Sequence, residues 1–174
     1  MDNETKIWLI TDTHFSHTKL DEWGERSGDW QEKLWNGLET IPVEDVLFHL
    51  GDICIGDDLE VHQRLAGLKC KKVLVRGNHD KKSITWYMNN GWYAVVDGIE
   101  IIYRGHYLHL THRPQRPQGH NTYNIHGHTH GNMHRSEEYC DYYDKQYHID
   151  ISPEVAGYPP TRLDILMDKT KTYV

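Results

Sequence analysis

Four histidines fall within eleven residues in the stretch NIHGHTHGNMH, residues 124–134. His126, His128 and His130 alternate along it, and His134 follows. Histidine is neither a strong core former nor a necessary surface residue, so stability alone gives no reason for this spacing. A second i, i+2 pair, Asp12 and His14, lies near the N-terminus, and Asp52, Asn78 and His112 fall between the two pairs. An extended segment aims side chains i and i+2 the same way. Together Asp12, His14, Asp52, Asn78, His112, His128 and His130 offer carboxylate, imidazole and amide donors without a thiolate. That mixture suits Mn²⁺, Fe²⁺ or Zn²⁺ better than a soft metal. Seven donors exceed the need of one tetrahedral ion. They suit two ions about 3.5–4 Å apart that share a carboxylate and a water.

Each of these residues follows a segment with the pattern of a strand. KIWLIT (6–11), DVLFHLG (45–51) and KKVLVRG (71–77) read as buried strands. They alternate with helical stretches. DWQEKLWNGLE (29–39) carries Asp29 as a cap and Trp30, Leu34 and Leu38 on one face. DDLEVHQRLAGL (57–68) starts at Asp57 or Asp58 and turns Val61, Leu65 and Leu68 inward, and KSITWYMNNG (82–91) ends at Asn90–Gly91. From 92 to 112 the chain is strand-like, with turn signals at Asp97–Gly98 and Arg104–Gly105. TYNIHG (122–127) and QYHIDI (146–151) are further short strands, and TRLDILMD (161–168) is a last helix or an edge strand. The first half predicts parallel strands with helical crossovers, the second half mainly strands. Two packed sheets with helices outside follow. Ligands of such sheets gather beyond the carboxyl ends of strands, which is where the donor residues stand.

Composition bounds the rest. A chain of 174 residues, 37% hydrophobic and 26% charged, fits one soluble domain spanning 1–174. No apolar run has membrane-spanning length, and the N-terminus lacks the features of a secretory signal, so a cytoplasmic protein is expected. Cys54, Cys70 and Cys140 are scattered and odd in number, which predicts ordinary reduced thiols. The net charge of −7 argues against long nucleic acid as a partner. It is compatible with a small phosphorylated substrate, because a carboxylate site is acidic until cations fill it.

The motifs DTH (12–14), GD (51–52), GNHD (77–80), THRP (111–114) and GHTH (127–130), in this order, resemble the five motifs of the calcineurin-like metallophosphoesterase superfamily. The resemblance covers nearly the whole chain and points to a compact bacterial or phage-type member without a cap domain. It implies a four-layer α-β-β-α sandwich of two mixed sheets flanked by helices, with a dimetal site at the C-terminal ends of strands. It implies one ion held by Asp12, His14, Asp52 and His130, and a second held by Asp52, Asn78, His112 and His128, with Asp52 bridging. Mn²⁺ is the first choice of ion, with Fe²⁺, Zn²⁺ or Ni²⁺ as alternatives. His79 would not ligate; it would meet the phosphate and the leaving group, with Asp80 orienting its imidazole as a carboxylate does elsewhere. The expected reaction is in-line attack on phosphorus by a metal-activated hydroxide, on a small phosphoester, possibly a nucleotide, with a diester slightly favoured over a monoester. The alternative is a scaffold of the same fold that binds protein without catalysis.

Other residues carry weaker signals. His17 and Arg113 are candidates for substrate contact, with a solvated loop position and a surface salt bridge as the alternatives. His49 and His126 precede motifs on strands and read as packing or as support for the ligands. Arg76 reads as the partner of a structural carboxylate. The tyrosines of EEYCDYYDKQY (137–147) read as a hairpin's cross-strand packing, or else as a stacking surface for a base. His62, His106, His109, His120, His134 and His148 read as ordinary.

Overall fold

The computed structural model describes residues 4–22, 26, 28–119, 122–132, 139 and 142–170. Two sheets pack face to face. The first has the order β4-β3-β2-β1-β9, from β1 (Ile7–Ile10), β2 (Val46–His49), β3 (Lys71–Val75), β4 (Ala94–Val96) and β9 (Thr161–Arg162). β1 to β4 are parallel, with Ile7 opposite Val46 and Ile10 opposite His49, while β9 is antiparallel to β1. The second has the order β5-β6-β7-β8, from β5 (Ile99–Tyr103), β6 (His106–Leu110), β7 (Thr122–His126) and β8 (His148–Asp150). β5 and β6 are antiparallel; β6, β7 and β8 run parallel to one another.

Side-chain alternation explains the layers. Leu9, Phe48, Val73 and Val75 face the second sheet and pack with Leu108, Leu110, Ile125 and Ile151. Ile10, Leu47 and Leu74 face the other way, onto helices α2 (Trp30–Glu39) and α3 (Asp58–Ala66) through Trp30, Leu34, Leu38, Val61 and Leu65. A strand with one apolar residue for each face must be covered on both, and each fully buried side chain of this kind contributes roughly 1.5–3 kcal/mol. Asp57 caps α3 by accepting from the Glu60 N–H, and Ser83 caps α4 (Ile84–Asn89) through Trp86. Gly91, with φ of 90°, carries the chain out of α4 where any side chain would strike Ala66. Asp29 does not cap α2: it makes no side-chain capping bond and pairs instead with Lys33 at 2.8 Å.

Three segments differ in detail from the expectation. Arg104 and Gly105, both with positive φ, close the β5–β6 hairpin as the expected turn. Asp97–Gly98 instead hands the chain from β4 in the first sheet to β5 in the second. Residues 161–168 are both of the things expected of them: Thr161–Arg162 pairs with β1, and α6 (Leu163–Thr170) follows at once, burying Leu163 and Met167 in the inter-sheet core. Two short helices were not foreseen, α1 (Lys19–Glu22) and α5 (Pro153–Ala156). Residues 142–147 are turns and irregular backbone, not a hairpin strand; His120, His134, Cys140 and part of the tyrosine-rich stretch lie outside the described residues. Cys54 and Cys70 are free and buried, and no helix among the described residues is long and apolar enough to cross a membrane.

Candidate metal centre

The carboxyl ends of β1, β2, β3, β6 and β7 meet at one rim, because each of these strands runs parallel to its neighbour within its own sheet. The loops beyond them are bonded to one another. The Asp12 N–H donates to Gly51 O, the His14 N–H to Asp52 O and the Gly127 N–H to His112 O. This closure brings two clusters of potential ligands together, Asp12–His14–His130 and Asp52–His112–His128.

The backbone at these positions is strained. Asp12, His14, Asp52, His128 and His130 all have φ between 44° and 67°. Such a conformation costs an L-residue about 1–2 kcal/mol and persists where the surroundings over-determine it. Two motif glycines give the room. A Cβ at Gly127 would overlap the Asp12 carboxylate and Thr11, and one at Gly77 would overlap the Asp52 carboxylate.

In the first cluster the Oδ2 of Asp12 accepts from the Thr11 hydroxyl and from the His128 N–H, each at 2.8 Å. Its other oxygen, Oδ1, is buried without a hydrogen-bond partner. That atom lies 3.4 Å from His130 Nε2 and 3.6 Å from His14 Nε2, too far for good hydrogen bonds. His130 Nδ1 lies 3.0 Å from Glu154 Oε2, so in the neutral ring with its proton on Nδ1 the Nε2 atom keeps a lone pair for a cation. Buried lone pairs face one another here, and a cation between them would satisfy all three.

In the second cluster Asp52 anchors Oδ1 on the His79 N–H at 2.8 Å. Its Oδ2 faces both halves of the site, 3.4 Å from His112 Nε2 and 3.9 Å from His14 Nε2. His112 donates from Nδ1 to Leu50 O at 2.8 Å. The amide oxygen of Asn78 stands 3.1 Å from His112 Nε2, so this residue also reaches the cluster.

The electrostatics favour positive charge at the centre. Burial pushes the Asp12 carboxyl up, but the imidazole of His14 and the charges of His112 and His130 overturn this and hold it well below the ordinary range. Burial of Asp52 is likewise outweighed, mainly by His112, and its carboxyl is lowered. Against its own burial, His112 is raised to about 9 by Asp52 and Asp12. His128 moves the other way, to about 4, by burial and by the charges of His112 and Arg113.

His79 and its neighbours line the open side. The His79 side chain is 43% exposed while that of Asp52 is 3% exposed, and its Nε2 lies 3.8 Å from Asp52 Oδ2. Arg113 donates to the Tyr139 hydroxyl at 3.1 Å and to Asn78 Oδ1 at 3.3 Å, and it pairs with no carboxylate among the described residues. His17 is half-buried, with its ring 6.0 Å from that of His14. Asp80 is used differently from the expectation. Its carboxylate accepts from the main-chain N–H groups of Asp52 (2.8 Å), Gly77 (2.7 Å) and Ile53 (3.1 Å), so it organises the two loops and does not orient the His79 imidazole. His49 supports the rim from below, accepting from the Gly51 N–H and bonding Thr13, and burial holds it neutral with a pKa of about 3. His126 gives Nδ1–H to Gly127 O. Arg76 pairs with Asp97 at 2.6 Å.

Three residues of the site carried no signal in the sequence. Glu154 on α5 bonds His130 and pairs at 2.7 Å with Arg26, whose side chain is fully buried. Asp150 at the end of β8 accepts from the Thr129 hydroxyl and the Gly131 N–H, and so fixes the loop that carries His128 and His130. A third grouping, Cys54, Asp58 and His62, is already satisfied internally. The Cys54 thiol donates to Asp58 at 2.8 Å and His62 Nδ1 accepts from Trp92 Nε1 at 2.9 Å.

Comparison with known proteins gives relatives in sequence and in fold. An uncharacterized protein of Methanocaldococcus jannaschii is 29% identical over 173 residues, which cover 93% of this chain and 89% of that one. A crystal structure of a protein of unknown function from Aquifex aeolicus superposes with a TM-score of 0.74 at 24% identity, over 95% of this chain and 99% of that chain, and shares its fold. The model of the calcineurin-like phosphoesterase family matches residues 5–168, and with these strands, loops and ligand clusters the chain belongs to that family.

Proposed function

We propose that this chain hydrolyses small phosphoesters with two divalent ions, Mn²⁺ being the preferred metal. The observation that carries the reading is the Asp52 Oδ2 atom, which faces both ligand clusters, opposite the orphaned Asp12 Oδ1. Asp12, His14 and His130 would hold one ion and Asn78, His112 and His128 the other, with Asp52 shared. Oxygen and nitrogen donors without sulfur suit Mn²⁺, with Fe²⁺, Zn²⁺ or Ni²⁺ as alternatives. When bound, such ions supply Lewis acidity toward phosphoryl oxygens and lower the pKa of an attacking water.

The chain's own residues supply the rest. His79 stands exposed beside Asp52, with its main-chain N–H tied to that carboxylate, so its imidazole meets the substrate and not the interior. There it hydrogen-bonds a phosphoryl oxygen or passes a proton to the departing oxygen. Arg113, held by Tyr139 and Asn78, anchors a phosphoryl oxygen from the same side, and His17 stands at the rim near His14. The open position of His79 suits a bulky second ester substituent, which favours a diester, and a nucleotide is a further candidate substrate.

Protein stripped with chelator and reloaded with Mn²⁺ is to be assayed on p-nitrophenyl phosphate and bis(p-nitrophenyl) phosphate, then on a nucleotide panel. Turnover on both, higher on the diester, is expected. No turnover on either ester at saturating metal overturns the reading in favour of a binding scaffold. A higher rate on the monoester reverses only the substrate preference.

A further inference from the structure

Arg26 is the most deeply buried cation near the centre, and no ligand motif contains it. Its side chain is fully buried, stacked 4.8 Å from the ring centroid of Trp30. A guanidinium so placed is costly unless its donors are met. Here Nε donates to Glu154 Oε1 at 2.7 Å, one terminal nitrogen to Asp12 O at 2.8 Å and the other to Thr13 O at 3.3 Å. Those carbonyls belong to the turn in which Asp12 and His14 hold φ of 50° and 44°. The other oxygen of Glu154 takes the Nδ1–H of His130, 3.0 Å away. One ion pair, buried on its Arg26 side, therefore reaches all three members of one ligand cluster, through the carbonyl of Asp12, the turn that bears His14 and the ring of His130. In the other cluster His112 gives its Nδ1–H to the neutral carbonyl of Leu50, not to a carboxylate.

We infer that Arg26 and Glu154 are positioning residues that set the metal affinity of the Asp12–His14–His130 site and leave that of the Asp52–His112–His128 site alone. The inference rests on the dinuclear reading above. Glu154 fixes the His130 tautomer, keeps the Nε2 lone pair aimed at the centre and makes the ring a stronger donor, as a carboxylate behind a metal-binding histidine does. Arg26 neutralises that carboxylate and holds the strained turn, a task for a planar fork that a lysine cannot copy.

The test is a Mn²⁺ titration followed by calorimetry and by electron paramagnetic resonance, which distinguishes a coupled ion pair from a single ion. Wild type should take up two ions and show the coupled signal. Glu154→Gln should lose roughly 10- to 100-fold in affinity for one ion, keep the other and show an uncoupled signal at intermediate Mn²⁺. Arg26→Lys should weaken the same ion, because it loses the carbonyl bonds. Asn78→Ala, on the other cluster, should weaken the other ion first, so the two variants mark different sites. Arg26→Met takes away the cation that partners Glu154, so it is paired with Glu154→Gln. The double variant should melt, without metal, above Arg26→Met alone yet still lack the one strong site. Unchanged affinity in Glu154→Gln overturns the inference. So does parallel weakening of both ions together with a lower metal-free melting temperature, which would mark a structural role. A wild type that binds only one ion overturns the dinuclear reading itself, and it does so before any variant is made.

Discussion

The two halves of the centre are supported in different ways. Asp12, His14 and His130 are closed in from behind: His130 leans on Glu154, Glu154 on Arg26, and Arg26 on the carbonyls of Asp12 and Thr13. Asp52, His112 and His128 share their side with exposed groups. Asn78 is exposed, and its oxygen contacts both His112 and Arg113. A charged backing that reaches the interior costs desolvation and needs its own counter-ion, which Arg26 finds in Glu154. A neutral carbonyl behind His112 needs none, and that half can open toward solvent and substrate. One half is built to hold and the other to be approached. Asp52 belongs to both.

Asp52→Asn breaks the comparison outright. An amide bridges cations poorly and leaves Asp12 as the remaining carboxylate facing the centre. Affinity for both ions should fall by more than the roughly 10- to 100-fold expected of a supporting residue, and turnover should fall with it. Metal content after dialysis and rate at saturating Mn²⁺ check this. Loss of one ion alone would show that Asp52 serves a single half.

His79→Ala should leave both halves in place and remove the chemistry between them. Turnover is expected to fall by about 10²–10⁴, the usual worth of a positioned acid, with metal content and melting temperature near wild type. If His79 protonates the leaving group, the loss shrinks for a nitrophenolate ester and grows for an alkyl ester. An equal loss on both assigns it to phosphoryl charge, and loss of an ion makes it a ligand.

The contrast between the halves also marks what the sequence revealed. The ligand candidates were legible because their type is chemically rare and each follows an apolar run that reads as a strand, as Asp12 follows KIWLIT. The sandwich was legible from the alternation that sends Leu9 one way and Ile10 the other. Arg26 and Glu154 were not, because Arg26 sits in the polar stretch DEWGERSGD and Glu154 stands in a short loop-like SPEVAG with no motif around it. They matter only once the chain brings position 154 to positions 26 and 130, a closure that no local pattern encodes. Asp80 was legible as important but not in its use. Its neighbour His79 suggested a catalytic pair, whereas the carboxylate turns back to the amides of Asp52, Ile53 and Gly77.

That reassignment sharpens the comparison from the side of stability. Asp80→Asn keeps one carbonyl oxygen for three N–H donors, so at least one buried amide loses its partner at a cost of about 1–3 kcal/mol. For a chain of this size the melting temperature should drop by roughly 2–4 °C per kcal/mol. Asp52 sits on the loop that relaxes, so both ions should bind more weakly. A variant that keeps its melting temperature and metal affinity and loses only turnover, in the pattern of His79→Ala, would restore Asp80 to a role on the imidazole.

Arg113→Ala should give the smallest effect, and only on the open half. The guanidinium is exposed and held by two neutral groups, the Tyr139 hydroxyl and the Asn78 oxygen, so it is free to exchange either for a substrate oxygen at little cost. A charge-assisted bond contributes about 1.5–3 kcal/mol when well placed, and exposure to water puts this one at the lower end. KM should therefore rise roughly tenfold, the equivalent of about 1.4 kcal/mol, with kcat little changed. The rise should be larger for a phosphomonoester, which carries one more negative charge than a diester and gains more from a cation. Tyr139→Phe removes one of the two anchors and should raise KM less. Should Arg113→Ala instead weaken one ion and leave KM in proportion to metal occupancy, the residue serves Asn78 and not the substrate. The open half would then have an outer support of its own, and the asymmetry between the two sites would be one of charge and not of kind.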